Sequence, residues 1–394
     1  MHIQMKILHI IDSGGLYGAE NVLLNLAEQQ VQLGLNPEIV SIGAKEVKEK
    51  PIEREARAIG LPVSVFRMRR GPNLWGMLQI RKHALDNGFD LVHSHGYKSD
   101  ILLGFMPKGF RRLPMIATLH GYMSTGGITR MRFYEWMDRT ILTRLEKVVL
   151  VSETMKTHPK LSSLRAGNFT VIPNGISKPG AIWANPSSTE HTRLAAFCEK
   201  GFIIGAVGRL SAEKGFDCLI EAFGEVTRTV PEAKLLILGE GRMREALEAK
   251  IRAYGLTDKV LMPGYVSDAS IYMKFFDVFV LASITEGLPM TLLEAMHAAL
   301  PVVSTKAGGV VNVLRDEHTG LLVGHSDPSA LAAAIKKLYL DVNLRQKLGS
   351  AAQQEVFEKY SSRRMALEYV EVYREVLQSW RQKSPVKRQT DLAG

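Results

Sequence analysis

The chain has 394 residues, 46% hydrophobic and 23% charged, which excludes a single small module, wholesale disorder and a disulfide scaffold and predicts two or three domains with cores of their own. The formal charge of +10 is uneven: residues 1–180 hold 24 Lys+Arg against 15 Asp+Glu, residues 181–360 hold 19 against 21, and residues 361–394 hold 7 against 4. The positive excess at the front predicts an anionic partner for that half, whether phosphate, nucleic acid or an acidic lipid surface.

No apolar run approaches the ~18 residues a membrane helix needs. The stretch Met5 to Ile11 is broken by Asp12 and Gly14 before it could serve as a signal peptide. Two cysteines, Cys198 and Cys218, show neither C-x-x-C nor metal-ligand spacing, so a reducing cytoplasm is the expected home.

In chain order, short β-rich runs alternate with amphipathic stretches, the pattern of an α/β protein with parallel sheets. The first series of strands is MKILHII, EIVSI, LVHSH, MIATLH, KVVLV and FTVIP; the second is FIIGAVG, AKLLILG, KVLMPG, DVFVLAS, PVVST and GLLVG. Between them NGISKPGAIWANPSSTEHT reads as a linker. From Asp327 to about Trp380 the pattern is helical, and RQKSPVKRQTDLAG reads as a basic disordered tail. The expected division is residues 1–180, residues 181–360, and residues 361–394 as a last helix plus tail. Two doubly wound domains imply a cleft where strand C-terminal ends and helix N-termini converge, suited to a ligand with phosphates.

Four groups of residues carry candidate chemistry. Gly14, Gly15 and Gly18 follow the first strand and open the first helix, where backbone N–H groups can approach an anion; a plain strand-to-helix turn uses the same glycines. Gly239 and Gly241 lack the third glycine of the dinucleotide fingerprint. In VGRLSAEKGFD, Arg209 and Lys214 sit on one loop with a spacing that lets two cations grip a diphosphate, or form a solvated surface pair. In SITEGLPMTLLEAM, Glu286 precedes a helix start and Glu294 falls inside the helix, about two turns in. One carboxylate then suits sugar hydroxyls and the other ribose hydroxyls, with Gly287, Leu288, Met290 and Thr291 offering the backbone in between. The alternative is an ordinary helix with one dipole-favouring and one buried glutamate. His93, His95 and His120 end first-series strands, where both site-lining and purely structural roles fit. The chain has no D-x-D, so a carboxylate cradle for a divalent ion on a nucleotide diphosphate is missing and no metal site is expected.

GRLSAEKG, GYVSD, EGLPMTLLEAM ending in LPVV, and IPNGI at the linker together resemble the retaining glycosyltransferases of family 4 over nearly the whole chain. The resemblance implies the GT-B architecture: two Rossmann-like doubly wound domains facing across a cleft, an acceptor-binding first domain, a nucleotide-sugar-binding second domain, and a C-terminal helix crossing back onto the first. It implies transfer of a sugar from a nucleotide-diphosphate sugar with retention, without a metal or other cofactor. By the same similarity Arg209 and Lys214 sit on the diphosphate, Glu294 on the ribose, Glu286 on the transferred sugar and His120 near the anomeric centre, while Gly264, Tyr265 and Val266 face the base. Two departures stand out. Tyr17-Gly18-Ala19-Glu20 replaces the family's G-G-x-E, and Ala299 stands where many members have Gly.

Basic clusters mixed with apolar residues, namely Arg67, Arg69 and Arg70, Lys108, Arg111 and Arg112 beside Phe105 and Phe110, and Arg130 with Arg132, predict an acceptor or membrane surface. The expectation is a peripheral enzyme on the inner face of the cytoplasmic membrane, acting on a lipid-linked or lipopolysaccharide or exopolysaccharide glycan. A soluble small-molecule acceptor and a non-catalytic nucleotide-sugar-binding protein are the alternatives. No recognised nucleic-acid module occurs, and a nucleic-acid partner is disfavoured.

Overall fold

The computed structural model of the chain describes residues 4–69, 73–120, 137, 140–161, 167–177, 189–266 and 269–383. They form two compact units, one drawn from 1–175 and 362–394, the other from 176–361.

The first unit is built on a seven-stranded parallel sheet: β1 Lys6–Ile11, β2 Asn36–Ala44, β3 Val63–Met68, β4 Leu91–Ser94, β5 Met115–Leu119, β6 Lys147–Leu150 and β7 Phe169–Val171. The order β3-β2-β1-β4-β5-β6-β7 reverses direction of travel at β1/β4, the place where doubly wound sheets open a crevice at the strand ends. Helices α1 Gly18–Gln32, α2 Pro51–Ala58, α3 Leu74–Asp86, α4 Tyr97–Gly104 and α5 Lys108–Arg111 fill the crossovers. Strands β1, β4 and β5 are buried along nearly their whole length because both faces of a parallel sheet are covered. The strand β3, VSVFRM, is not among the expected ones. It lies at the sheet edge and is only partly buried, so its apolar pattern is weak.

The second unit has a six-stranded parallel sheet of order β10-β9-β8-β11-β12-β13: β8 Phe202–Val207, β9 Ala233–Leu238, β10 Val260–Gly264, β11 Val278–Leu281, β12 Val302–Thr305 and β13 Leu321–Val323. Its crossover helix Phe216–Thr227 buries Phe216, Leu219, Ile220, Phe223 and Val226, an i, i+3, i+4, i+7 stripe that seats it on the sheet.

The helical tract at the end divides into Pro328–Leu340, Val342–Lys359 and Ser362–Lys383. The first two belong to the second unit and the last to the first unit, where it packs against α1 and buries Tyr369 and Tyr373. The expected disordered tail beyond Lys383 lies outside the described residues.

Candidate functional site

In the second unit the loops at the C-terminal ends of β8, β9, β11 and β12 are knitted together by backbone contacts. Gly208 N–H donates to Leu238 O at 3.0 Å, Leu210 N–H to Glu240 O at 3.0 Å, and Ile284 N–H to Glu213 O at 2.8 Å. Two glycines exist to let chains touch. A Cβ at Gly239 would lie 1.8 Å from Gly208 O, and one at Gly308 would lie 1.9 Å from Glu286 O. Gly239 is thus a packing glycine of the β8 and β9 loops.

That scaffold brings the predicted residues to one place. Lys214, ending a single 3-10 turn Ala212–Lys214, puts Nζ 2.6 Å from Glu286 Oε1. Glu286 Oε1 also accepts from Ser283 Oγ at 2.6 Å. Arg209 is exposed on the same loop, with its guanidinium 3.7 Å from Glu213 Oε1. Against the upward push of partial burial, the Ser211 hydroxyl at 2.6 Å, the backbone and the two neighbouring cations hold the Glu213 carboxyl below its ordinary value. Sequence reasoning passed over Glu213 and Ser283. The spacing that reveals them is proximity to Lys214 and Glu286 on short loops.

The helix after Glu286 begins at Met290, so Glu294 stands little more than one turn inside it, not two, and is half-buried. Leu288 and Met290 point apolar side chains into the core, Thr291 and Gly287 are half-buried, and the backbone of the first helical turn lies between Glu286 and Glu294. Gly264 ends β10 with its carbonyl taken by Gly239 N–H at 2.8 Å, Tyr265 is exposed and Val266 is buried.

In the first unit the β1 loop carries Gly14, exposed, and Gly15, buried under the Tyr17 ring, while Gly18 is the first residue of α1. Ser13 Oγ bonds Gly15, and Tyr17 N–H donates to Glu20 Oε2 at 3.0 Å, closing the helix start. Asp12 holds two cations, Lys50 Nζ at 2.7 Å and Lys98 Nζ at 2.5 Å, which sequence reasoning did not single out.

His9 on β1 pairs in register with His93 on β4, and His95 and His120 follow on the same face at i+2 intervals past His93 and Thr118. Four imidazoles therefore converge. His9 Nδ1 meets His95 Nε2 at 3.0 Å, and His95 Nδ1 meets His120 Nε2 at 3.1 Å. His9 Nε2 faces Gln30 Oε1 at 2.8 Å; His93 Nδ1 faces the Tyr373 hydroxyl at 2.9 Å and its Nε2 faces Thr118 Oγ1 at 2.7 Å. Burial pushes His9 and His120 down to about 4 and His93 and His95 well below the ordinary histidine value, so all four are neutral at pH 7. His9, His93 and His95 bring nitrogens close enough to share a metal ion, yet each of their six nitrogens already faces a protein partner. His9 was missed because it sits inside a strand whose neighbours are apolar.

The basic surface is smaller than expected. Arg111 is not on it: the side chain is 2% exposed and donates to Glu146 Oε2 at 2.6 Å and Leu113 O at 2.7 Å. Arg67 lies in β3, half-buried, with NH2 on both Glu53 oxygens at 2.7 and 2.9 Å. Both are structural cations that satisfy buried carboxylates. Lys108 joins Glu146 at 2.7 Å from an exposed position, and Arg69 and Arg112 are exposed. Arg70, Arg130 and Arg132 lie outside the described residues. What the sequence reading missed is α3. Gly76, Ile80 and Ala84 are its buried row, which turns Leu74 (72% exposed), Trp75 (71%) and Leu78 outward. Phe105 and Phe110 are also exposed, the latter under the Arg81 guanidinium at 4.3 Å. Among the described residues no helix is long and apolar enough to cross a membrane.

Residues 189–355 match the family model for glycosyl transferases group 1, and residues 17–178 match that for glycosyltransferase family 4. The alpha-D-kanosaminyltransferase of Streptomyces kanamyceticus is 33% identical over 326 residues, 78% of this chain and 82% of the relative. The UDP-Gal:alpha-D-GlcNAc-diphosphoundecaprenol alpha-1,3-galactosyltransferase of Escherichia coli is 24% identical over 349 residues, 86% of this chain and 88% of the relative. Among solved structures, Anabaena Alr3699/HepE in complex with UDP and glucose superposes with a TM-score of 0.81 at 21% identity, over 94% of this chain and 100% of that one.

Proposed function

The chain belongs to the group 1, family 4 glycosyltransferases of GT-B fold, and from that premise we propose that it moves a sugar from a nucleotide-diphosphate donor to a lipid-linked glycan with retention at the anomeric carbon and without a metal ion. The observation that carries the donor reading is the Lys214–Glu286 pair at 2.6 Å, a cation and a carboxylate held on adjoining loops at the carboxyl ends of β8 and β11. A diphosphate entering there draws Lys214 and Arg209 toward its oxygens, where charge develops as the bond to the sugar breaks. Glu286 is then free to accept from a hydroxyl of the transferred sugar, while Glu294 accepts from the ribose and the Gly287 to Thr291 backbone meets the phosphates. The family resemblance assigns His120 to the reacting sugar. The residues assigned to the donor include no second carboxylic acid paired with Glu286 as a base, which favours retention with the departing phosphate taking the acceptor's proton.

For the acceptor, the exposed Leu74, Trp75, Phe105 and Phe110 beside Arg69, Arg81, Lys108 and Arg112 support a peripheral site on an anionic leaflet, with Trp at the headgroup level. The inner face of the cytoplasmic membrane fits this surface, and the Escherichia coli relative's diphosphoundecaprenol acceptor supports the same reading. The kanosaminyltransferase relative supports a soluble acceptor as the second reading.

A panel of UDP-, GDP- and ADP-sugars read by thermal shift and slow hydrolysis identifies the donor, since a ligand of the folded state raises the melting temperature. Proton NMR of the product with and without EDTA then tests the chemistry. An α-linked product from an α-linked donor, unaffected by chelator, is expected; a β-linked product, or activity restored only by Mg²⁺ or Mn²⁺, overturns retention or metal independence.

A further inference from the structure

The four imidazoles belong to one hydrogen-bonded chain whose polarity is readable from its far end. Gln30, on α1, donates through Nε2 to the Tyr373 hydroxyl at 2.9 Å and presents Oε1 to His9 Nε2 at 2.8 Å. An amide oxygen only accepts, so His9 carries its proton on Nε2. A neutral imidazole has one proton, which leaves His9 Nδ1 bare and makes it the acceptor at 3.0 Å from His95 Nε2. His95 is then protonated on Nε2 and bare on Nδ1, and takes a hydrogen bond from His120 Nε2 at 3.1 Å. The proton of His120 is thereby committed to the chain, and its Nδ1 is left with a lone pair. That Nδ1 is buried and has no hydrogen-bond partner among the described residues.

A second branch leaves Gln30 through Tyr373, whose hydroxyl meets His93 Nδ1 at 2.9 Å, while His93 Nε2 meets Thr118 Oγ1 at 2.7 Å, which lies 2.8 Å from the Tyr369 hydroxyl. Tyr369 and Tyr373 come from the C-terminal helix Ser362–Lys383, 251 and 343 residues from their partners Thr118 and Gln30. Burial among the packed rings, with His93 and His95 centroids 4.1 Å apart, keeps each imidazole neutral and the count of one proton per ring intact.

We propose that Gln30, oriented by Tyr373, is a positioning residue that fixes the tautomer of His120 through His9 and His95, so that His120 meets the ligand as a hydrogen-bond acceptor at Nδ1. A buried acceptor without a partner is costly, and a ligand bringing a donor, such as a sugar hydroxyl, recovers that cost. A ligand presenting an acceptor there is rejected. The idea rests on the placement of His120 at the reacting sugar, and its test separates the two claims.

The experiment is long-range ¹⁵N–¹H correlation on the full chain labelled at histidine, at pH 7.5, with His120 assigned by its missing signals in His120→Asn. His120 in the Nε2–H tautomer is expected, and the Nδ1–H tautomer overturns the proposal. Gln30→Met, close in volume and unable to hydrogen-bond, should let Nδ1–H appear at His120 and lower kcat by at least about tenfold with little change in donor KM. Gln30→Glu, which still accepts from His9, should keep the tautomer and most of kcat, and guards against a variant that fails to fold. A tautomer unmoved in folded Gln30→Met overturns the relay. A tautomer that moves while kcat stays normal supports the relay and overturns the placement of His120 at the reacting sugar.

Discussion

Lys214 and Glu286, 72 residues apart, share a 2.6 Å ion pair in which both side chains are largely shielded, 18% and 9% exposed. Each would otherwise be a costly half-buried charge, so each holds the other in place until an anion competes for the lysine. Lys214→Ala and Glu286→Gln should each cost about 2 to 4 kcal/mol of transition-state stabilisation, roughly 30- to 1000-fold in kcat/KM. Because the two act as a unit, the double variant should lose little more than the worse single. Additive losses in steady-state kinetics would separate the pair.

Glu294 stands one turn inside the Met290–His297 helix, eight residues beyond Glu286. Glu294→Gln should weaken the binding of the bare nucleoside diphosphate, by roughly 1.5 to 3 kcal/mol for a charged hydrogen bond, and leave turnover at saturating donor nearly unchanged. Isothermal titration with the diphosphate decides it; unchanged affinity removes the ribose assignment.

Trp75 and Leu74 should anchor the chain to anionic vesicles. Trp75→Ala with Leu74→Ser should reduce partition, Arg69→Gln with Arg112→Gln should abolish its dependence on anionic lipid, and 0.5 M salt, which shortens the screening length to about 4 Å, should release the wild type. Co-sedimentation measures all three. Equal binding to neutral and anionic vesicles speaks against this surface.

His9 and His120 are held at about 4, against 6.5 for free histidine, by burial. The unfolded chain then binds protons that the folded chain refuses between these values, so stability is fully present above about pH 6.5 and falls as the pH drops toward 4. Urea midpoints across that range should fall for the wild type and fall less steeply for His9→Gln. Activity that needs neutral His120 should stay level from pH 8 to 6. A bell with an acid limb near 6.5 contradicts its depressed basicity.

Ala299 closes the Met290–His297 helix in the left-handed conformation, φ 57°, with Ala299 N–H on Met296 O and Leu300 N–H on Ala295 O, each 3.0 Å. The same double closure ends three helices of the first unit and one of the second at Gly34, Gly60, Gly88 and Gly255. The methyl of alanine is strained there, so Ala299→Gly should raise stability by about 1 kcal/mol and shift the denaturant midpoint without changing the slope. No gain would mean that neighbouring packing compensates.

Features that depend on neighbours along the chain are legible in the sequence. Apolar runs alternating with amphipathic stretches specify both parallel sheets, and a loop as short as Arg209 to Lys214 or a span as short as Glu286 to Glu294 holds its groups near one strand end whatever else the chain does. Its reading faltered where local pattern is weak, as in the half-exposed edge strand β3, and at the start of a helix, where Glu294 proved one turn in. Which charges neutralise one another depends on contacts between residues far apart in the chain. Arg111 looks like surface until Glu146, 35 residues on, takes it inside, and the apolar Leu74 and Trp75 are turned outward because the row Gly76, Ile80, Ala84 claims the inner face of α3. The proton direction of the histidine chain was beyond sequence altogether. It is set where Gln30 meets Tyr373 across 343 residues, and a hydrogen bond's polarity exists only once both partners are in place.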